Sequence, residues 1–590
     1  MKLLFAPLLF SPLIYLVYYF LQGLFHVNEN KSLSLSGFIF EQIILFCILL
    51  IFYAVVKRKR LAVLLTLIFY LCFLLATIIK VKVLGAPIFP NDLLLMGDLL
   101  RTWGVVLEYI PYLILLLCMI FAVCYYEIKN TAKEKVYGTG ILVFLVVIVG
   151  YLTMFQNENT RLFLRDHGIY LKKNVNLVKK GFVNGYLSSF VQATFFLGKP
   201  SPPEHYSKDA VDTIINRYQL LDPIGQSAEA DNVIVLLVES FTRPEQFGWK
   251  IQPSPTPNFD KITYNHASGI AISPVYGGKS INAEFEVMTG LSNRFTPIET
   301  TPYQEFVDKN IPSLARSFKV NGYTTNAVQM IPFEGFGYGR IYDYIGVDNK
   351  FSLTTEKLDA DPSGRSVASH EISKKILKII NEQEKSFVFA FPNSSHQPWK
   401  LEHYPKSNLK ITDSKLRPQE EDKLLAYANA LNHVDKLFGD LIESLKNSDE
   451  KTLVLIVGDH QPGIDFYNQH LKNKNNNEYV DLVLSKYQTA LAIWSNYLTE
   501  KNDNIELSMN MIPALIIELS GVRVDGMMKF LIRLKEQFSV ISHLYKKQGG
   551  GFSNKVSEDA KQIIKDYKLL QYDILFGKNY LYKTMMKDTN

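Results

Sequence analysis

Cysteine is nearly missing from this chain: there are four in 590 residues, and Cys47, Cys72, Cys118 and Cys124 all fall within long apolar runs. Everything beyond about residue 155 therefore has no thiol, which excludes a disulfide framework, a Cys-x-x-Cys redox pair and a zinc–thiolate centre from that part. A metal held there must take oxygen and nitrogen ligands. A strong excess of one charge is missing too. The formal net charge is +6 and the basic residues form no long stripe, so nucleic acid is not an expected partner. No Gly-x4-Gly-Lys-[Ser/Thr] loop occurs, so the usual cradle for a nucleoside triphosphate is absent.

What the chain does have is two regions of different character beneath a mean hydropathy of +0.04. Apolar runs at residues 4–22, 37–56, 61–79, 107–126 and 137–155 each approach the ~20 residues that span hydrocarbon. They predict a transmembrane domain of five helices over 1–155. A cleaved signal peptide would account for the first run alone, and no small-residue cleavage site stands near residues 20–30, so that run is expected to be retained. Lys57-Arg58-Lys59-Arg60 joins the second and third runs, and Lys129, Lys133 and Lys135 lie between the fourth and fifth. Basic loops stay in the cytoplasm, so an odd number of spans delivers the remainder of the chain to the exterior; Lys80 and Lys82 oppose this weakly. The membrane domain is either a plain anchor or shares in binding lipid. Residues 156–222 read as an amphipathic helical linker. It is basic at Arg161, Arg165, Lys172, Lys173, Lys179 and Lys180 and is then broken by Pro200, Pro202 and Pro203. It suits an anionic membrane surface or, equally, a solvated stalk.

From Asp231 onward, short β-rich apolar runs alternate with amphipathic helical stretches, the pattern of an α/β domain with a mainly parallel sheet covered by helices. Expected strands are Val233 to Val238, Thr324 to Val328, Phe387 to Phe391, Leu453 to Val457 and Ala490 to Trp494. Expected helices are Ile311 to Asn321, Ser366 to Asn381, Glu420 to Asn447 and Met509 to Leu519. The catalytic domain is placed at 223–540. Residues 541–590, with Gly549-Gly550-Gly551, form a tail without an interpretable motif.

Ligands of open α/β sheets collect beyond the carboxyl ends of the strands. Here those ends are polar: Glu239-Ser240 follows the first strand, Gly458-Asp459-His460 the fourth, and His396 lies just after the third. Singly, Glu239 reads as a salt-bridging strand end and His396 as a loop histidine. Together with adjacent Asp459 and His460, they read as a divalent site of carboxylate and imidazole ligands. Between the first two strands, Gly277-Gly278-Lys279-Ser280 opens a stretch with helical apolar spacing. Ser280 there is either an N-cap, with Glu284 as its capping partner, or a hydroxyl poised where a helix N-terminus favours an alkoxide and a phosphate.

In order and spacing, Asn232-Val233-Ile234-Val235 to Glu239-Ser240-Phe241, Gly278-Lys279-Ser280 with Glu284-Phe285, Ser395-His396 and Gly458-Asp459-His460 resemble the lipoteichoic acid synthase group of the alkaline phosphatase and sulfatase superfamily. The resemblance spans nearly the whole chain. It implies one divalent ion, usually Mn2+ with Mg2+ or Zn2+ as alternatives, held by Glu239, Ser280, Asp459 and His460, with Ser280 as the nucleophile. It further implies Arg340 as a phosphate clamp with Tyr338 beside the ligand, and His396 as a proton donor or phosphate ligand. The implied partners are a membrane phospholipid donor such as phosphatidylglycerol and a cell-envelope polymer or glycan acceptor, at the outer face of a Gram-positive cell membrane. Two positions depart from the group: Ser280 stands where threonine is usual, and Met330 replaces a histidine of the phosphate pocket. Three other readings compete. Phosphoethanolamine transferases resemble this arrangement but carry disulfides in the exterior domain. Sulfatase-type hydrolysis needs Cys/Ser-x-Pro-x-Arg, whereas Ile281, Asn282, Ala283 and Glu284 follow Ser280. An inactive membrane-anchored scaffold has no need of all four ligands.

Overall fold

The computed structural model describes residues 33–84, 125–133 and 183–194, a few isolated positions among the first 181, and residues 200–587 apart from 226–228, 298–299, 331–332, 334–336, 353–368, 405–406, 413–414, 465 and 468–477. The chain divides into two units, Met1–Gly198 and Lys199–Asn590.

In the first unit, α1 (Leu35–Val56) starts at Ser34, whose hydroxyl accepts the Gly37 amide at 3.1 Å, and α2 (Lys59–Leu84) follows after a two-residue break. Leu35–Val56 and Lys59–Ile78 are long and apolar enough to cross a membrane, by length and composition. Of the five expected spans, the two that fall among the described residues are both present. The runs at 4–22, 107–126 and 137–155 lie outside them but for isolated positions. Arg58 Nε donates to Thr131 O at 2.8 Å, so the two basic loops assigned to one side of the membrane do meet. A short helix, α3 (Tyr186–Thr194), lies within the stretch read as a linker. Its N-terminal amides and hydroxyl are taken up by a buried carboxylate of α1, Glu41.

The second unit is built on one sheet. Its strands in chain order are β1 (Asn232–Val238), β2 (Ala267–Ile272), β3 (Thr324–Gln329), β4 (Asn349–Ser352), β5 (Ser386–Phe391), β6 (Thr452–Gly458), β7 (Gln488–Ser495) and β8 (Ile505–Ser508), and their spatial order is β8-β2-β7-β6-β1-β5-β3-β4. β7 pairs antiparallel with both neighbours, and every other pairing in this sheet is parallel. The strand expected at Ala490 to Trp494 is thus present but runs against the rest. β1 is buried throughout, so alternate side chains feed two cores. Val233, Val235 and Leu237 face one, while Ile234, Leu236 and Val238 face the other, which is covered by helices Ser369–Glu382 and Pro418–Leu445.

The first of those cores reaches well outside 223–540. It includes Val211, Ile214 and Ile215 of α4 (Lys208–Tyr218), and Ile563, Tyr567, Leu570 and Ile574 of a late helix, Lys561–Leu575. The end of the stretch read as a linker and most of the stretch read as a tail are therefore packed elements of this unit.

Candidate active site

β1 and β6 are parallel neighbours, with Val238 opposite Gly458. The next residue of each strand, Glu239 and Asp459, therefore leaves the sheet at the same level. A side chain at Gly458 is ruled out because a Cβ would stand 2.0 Å from Phe241 O. Just past the strand ends Ser240 takes a left-handed backbone (φ 50), strain of the kind that collects at functional sites. The turn aims its amide back at Asp459: Ser240 N and His460 N both donate to Asp459 Oδ1, each at 2.6 Å. Asp459 Oδ2 is buried without a hydrogen-bond partner and lies 3.3 Å from His460 Nε2. His460 Nδ1 is 2.8 Å from Gln461 O. A carbonyl can only accept, so Nδ1 carries the proton and Nε2 presents a lone pair. Nε2 stands 3.5 Å from Glu239 Oε1, which also accepts from Ser240 Oγ at 2.7 Å.

Ser280 completes the group. Its hydroxyl donates to Glu239 Oε2 at 3.0 Å and lies 3.3 Å from His460 Nε2. The capping interpretation is overturned: Ser280 is the first residue inside α5 (Ser280–Thr289), the N-cap being Lys279 at φ 64 with no side-chain cap. Ser280 Oγ is thus directed at the carboxylates. Glu284 takes no part in capping and instead accepts from Tyr342 OH at 2.8 Å in the core.

The electrostatics are those of negative groups confined with too little solvent. Burial and then Glu239 push Asp459 up. Burial pushes His460 down, but Asp459 and Glu239 outweigh it and its pKa is raised. Protons gathered in this way are what a cation's charge displaces. The ligand atoms of Glu239, Asp459 and His460 lie within 4.8 Å of one another. With one orphaned buried carboxylate oxygen and an imidazole nitrogen that presents its lone pair to the cluster, the residues fit a divalent ion.

The remaining sequence candidates are Tyr338, Arg340, His396 and Met330. Tyr338 is buried on helix Tyr338–Tyr344, and its hydroxyl is pushed far above the phenol range by burial and then by Glu284, Glu239 and Asp459. Arg340 is exposed on the same helix. His396 is exposed, with Nδ1 2.6 Å from Gln397 O. The loop carrying it is tied to the site by Ser395 Oγ donating to Glu239 O and by Glu239 N donating to Pro392 O at 3.1 Å. Met330, just past β3, is buried in the core under the Ser369–Glu382 helix. Sequence reasoning missed Ser240 as a partner of both carboxylates, and Ser273, whose hydroxyl donates to Asp459 O at 2.5 Å. Only the adjacency of Ser240 to Glu239 could have pointed to the former.

Residues 231–521 match the sulfatase family model. A protein of Rhizobium meliloti (strain 1021) assigned to cyclic beta-1,2-glucan modification is 27% identical over 67% of this chain, and the match spans 62% of that relative's length. The fold resembles Streptococcus pyogenes phosphoglycerol transferase GacH, solved with sn-glycerol-1-phosphate, at TM-score 0.54 and 23% identity, covering 66% of this chain and 98% of that one. It also resembles the integral membrane lipooligosaccharide phosphoethanolamine transferase A of Neisseria meningitidis, at TM-score 0.51 and 14% identity, covering 89% of this chain and 95% of that one. Residues 231–521 belong to the sulfatase family of the alkaline phosphatase superfamily, and the Glu239, Ser280, Asp459 and His460 cluster lies within that domain.

Proposed function

We propose that this protein is a membrane-anchored transferase that moves glycerol phosphate from a phospholipid, phosphatidylglycerol, through Ser280 to a hydroxyl of a cell-envelope polymer or glycan, on the outer side of the membrane. The observation that carries the reading is the direction of the Ser280 hydroxyl, at a helix start and within 3.3 Å of both Glu239 and His460. The likeness to a phosphoglycerol transferase fold supports it, as does an exterior domain without cysteine.

Glu239, Asp459 and His460, with Ser280, would hold a divalent ion, which supplies positive charge that favours the serine alkoxide and balances the phosphoryl oxygens. Glu239 Oε2 orients the Ser280 hydroxyl. In the first step Ser280 Oγ bonds to phosphorus as the phosphorus–oxygen bond to diacylglycerol breaks, and the serine proton leaves, in net terms, on the diacylglycerol oxygen. His396, whose Nδ1 donates to Gln397 O, presents the lone pair of Nε2, which would take up the serine proton and return it to the diacylglycerol oxygen. Arg340, exposed on its helix, is suited to a phosphate oxygen. In the second step the acceptor hydroxyl takes the phosphoryl group and Ser280 regains a proton. The positive end of the α5 dipole favours the phosphate in both steps.

The second reading, phosphoethanolamine transfer, draws on the fold likeness that covers 89% of this chain. Mass spectrometry of the Ser280 peptide, after the full-length protein in nanodiscs is incubated with labelled phosphatidylglycerol or phosphatidylethanolamine and Mn2+, separates the two. A glycerol phosphate adduct, absent from Ser280→Ala, is expected. A phosphoethanolamine adduct would select the alternative, and no adduct from either lipid would end the covalent mechanism.

A further inference from the structure

Residues 541–587 lie beyond the stretch that matches the family model, yet they grip the nucleophile helix from both sides. Ahead of α5 runs the loop from Ser273 to Lys279. Ser273 Oγ donates to Asp459 O at 2.5 Å, and Gly277 N donates to Gln461 O at 3.2 Å, the same carbonyl that accepts His460 Nδ1. This loop is held from outside by His543, whose Nε2 is 3.0 Å from Pro274 O and whose ring packs on Tyr487 with centroids 3.9 Å apart. Pro274 O can only accept, so His543 donates from Nε2. The imidazole is half-buried and its pKa is lowered to about 4, chiefly by burial, so it holds the loop as a neutral donor at ordinary pH. Behind α5 the grip is tighter. Ser292 N donates to Gln571 Oε1 and Gln571 Nε2 donates to Ser292 O, both at 2.8 Å, and Tyr567 OH donates to Gly290 O at 2.6 Å. Arg294 extends the contact by donating from Nε to Tyr545 OH at 2.7 Å and from Nη1 to Ser542 O.

We propose that the segment from Phe538 to Leu575 positions the nucleophile, with His543 and Gln571 as positioning residues that fix the two ends of α5 and so hold Ser280 Oγ on the carboxylate pair. The proposal rests on the reading of Ser280 as nucleophile. Its physical basis is that a small displacement of a reacting group costs rate steeply, whereas the ligands Glu239, Asp459 and His460 directly follow the central strands β1 and β6 and are anchored by them. Loss of the grip should therefore slow attack while leaving the ion bound.

The test uses full-length protein in nanodiscs with Mn2+ and labelled phosphatidylglycerol, and reads single-turnover formation of the Ser280 adduct, Mn2+ stoichiometry and hydrogen–deuterium exchange over residues 274–292. His543→Leu and Gln571→Leu should slow adduct formation by roughly 10- to 100-fold, raise exchange over 274–292 and leave Mn2+ stoichiometry unchanged. His543→Gln, which can still donate to Pro274 O, should recover most of the rate. Tyr567→Phe, which removes the donor to Gly290 O and the acceptor of Asn510 Nδ2 but keeps the ring, gives the same pattern in milder form if the leucine variants do not fold. Tyr497→Phe removes a comparable bond to Leu519 O elsewhere in the unit and should change none of these. Unchanged exchange over 274–292 in the variants, or loss of Mn2+ in step with loss of rate, would overturn the positioning role. Exchange does not depend on turnover, so a wild-type protein that forms no adduct would sink the nucleophile reading while the exchange data still decide this one.

Discussion

Ser240 and Asp459 are joined by a 2.6 Å hydrogen bond from the Ser240 amide to Oδ1, and that bond decides which oxygen of Asp459 is left for a cation. The His460 amide saturates the same Oδ1, so Oδ2 remains buried and unpartnered. The protein thus uses backbone donors, which cannot rotate away, to aim one lone pair of a carboxylate. The side chain of Ser240 does the corresponding work on Glu239 Oε1.

Two substitutions separate these parts. Asp459→Asn keeps an oxygen for the two amides but removes the charge, and should abolish both stoichiometric Mn2+ and adduct formation. Ser240→Ala keeps the amide bond and loses only the hydroxyl on Glu239, so Mn2+ affinity should fall by about 10- to 100-fold, the usual cost of an outer-shell partner. Calorimetric titration of Mn2+ into each variant checks both. A Ser240→Ala protein with wild-type affinity would show that Glu239 is held without its neighbour.

Glu284 gives the pH prediction. Burial raises its pKa from 4.5 to about 8, with the Tyr342 hydrogen bond opposing. Because the folded pKa is the higher one, the folded state binds the proton more tightly. Its contribution to stability is complete below about pH 4.5 and is lost as pH rises through about 8. Glu284→Gln removes the titration while keeping an acceptor for Tyr342. The stability of the wild type relative to this variant should fall across that window by up to about 1.4 kcal/mol per pH unit. Denaturant unfolding at several pH values measures it, and parallel curves for the two proteins would contradict a buried titrating Glu284.

The sequence made the centre of the sheet legible because a strand buried on both faces reads as a continuous apolar run. β1, β5 and β6 are such strands, with every residue buried. It could not show that β7 runs antiparallel, since an apolar run carries no direction. β4, Asn-Lys-Phe-Ser, sits at the edge of the sheet and is too polar and short to register. The grouping of Glu239, Asp459 and His460 was legible because these residues directly follow strands and register brings strand ends level. The helix Lys561–Leu575 was not, because buried Asp566, Gln571 and Asp573 break its apolar stripe. Each has a distant partner invisible in sequence: Arg217 for Asp566, Ser292 for Gln571 and Tyr206 for Asp573.

The contact between Arg58 and Thr131 O makes membrane orientation testable. Both loops belong on one side, and the positive-inside rule puts that side in the cytoplasm. In a variant cleared of its native cysteines, single cysteines at Lys59 and Lys133 should react with an impermeant maleimide only after the cells are opened. One at exposed Tyr264 should react in intact cells. With the further span expected at residues 137–155, labelling of Lys59 and Lys133 from outside would place the sulfatase-family domain on the wrong side for the proposed chemistry.

Glu41 is the one acidic residue of α1, and its carboxylate is buried against the start of α3. Ser188 N donates to Oε2 at 2.7 Å and Ser188 Oγ at 2.8 Å, while Leu187 N and Tyr70 OH donate to Oε1, each at 3.2 Å. An acidic group in an apolar helix persists only where such partners meet it, and here it is satisfied by a helix N-terminus, the place where an anion is most favoured. Gly185 is what lets the carboxylate in. It sits at φ 86, and a Cβ there would stand 2.5 Å from Glu41 Oε2. Glu41→Leu strands buried donors at about 1–3 kcal/mol each, and Gly185→Ala evicts the same carboxylate by bulk. Both should lower the thermal stability of the detergent-solubilised protein and expose α3 to protease, while Glu41→Gln, which keeps one acceptor oxygen, should be milder. If Gly185→Ala matched the wild type in both assays while Glu41→Leu did not, the carboxylate would be needed somewhere other than the start of α3.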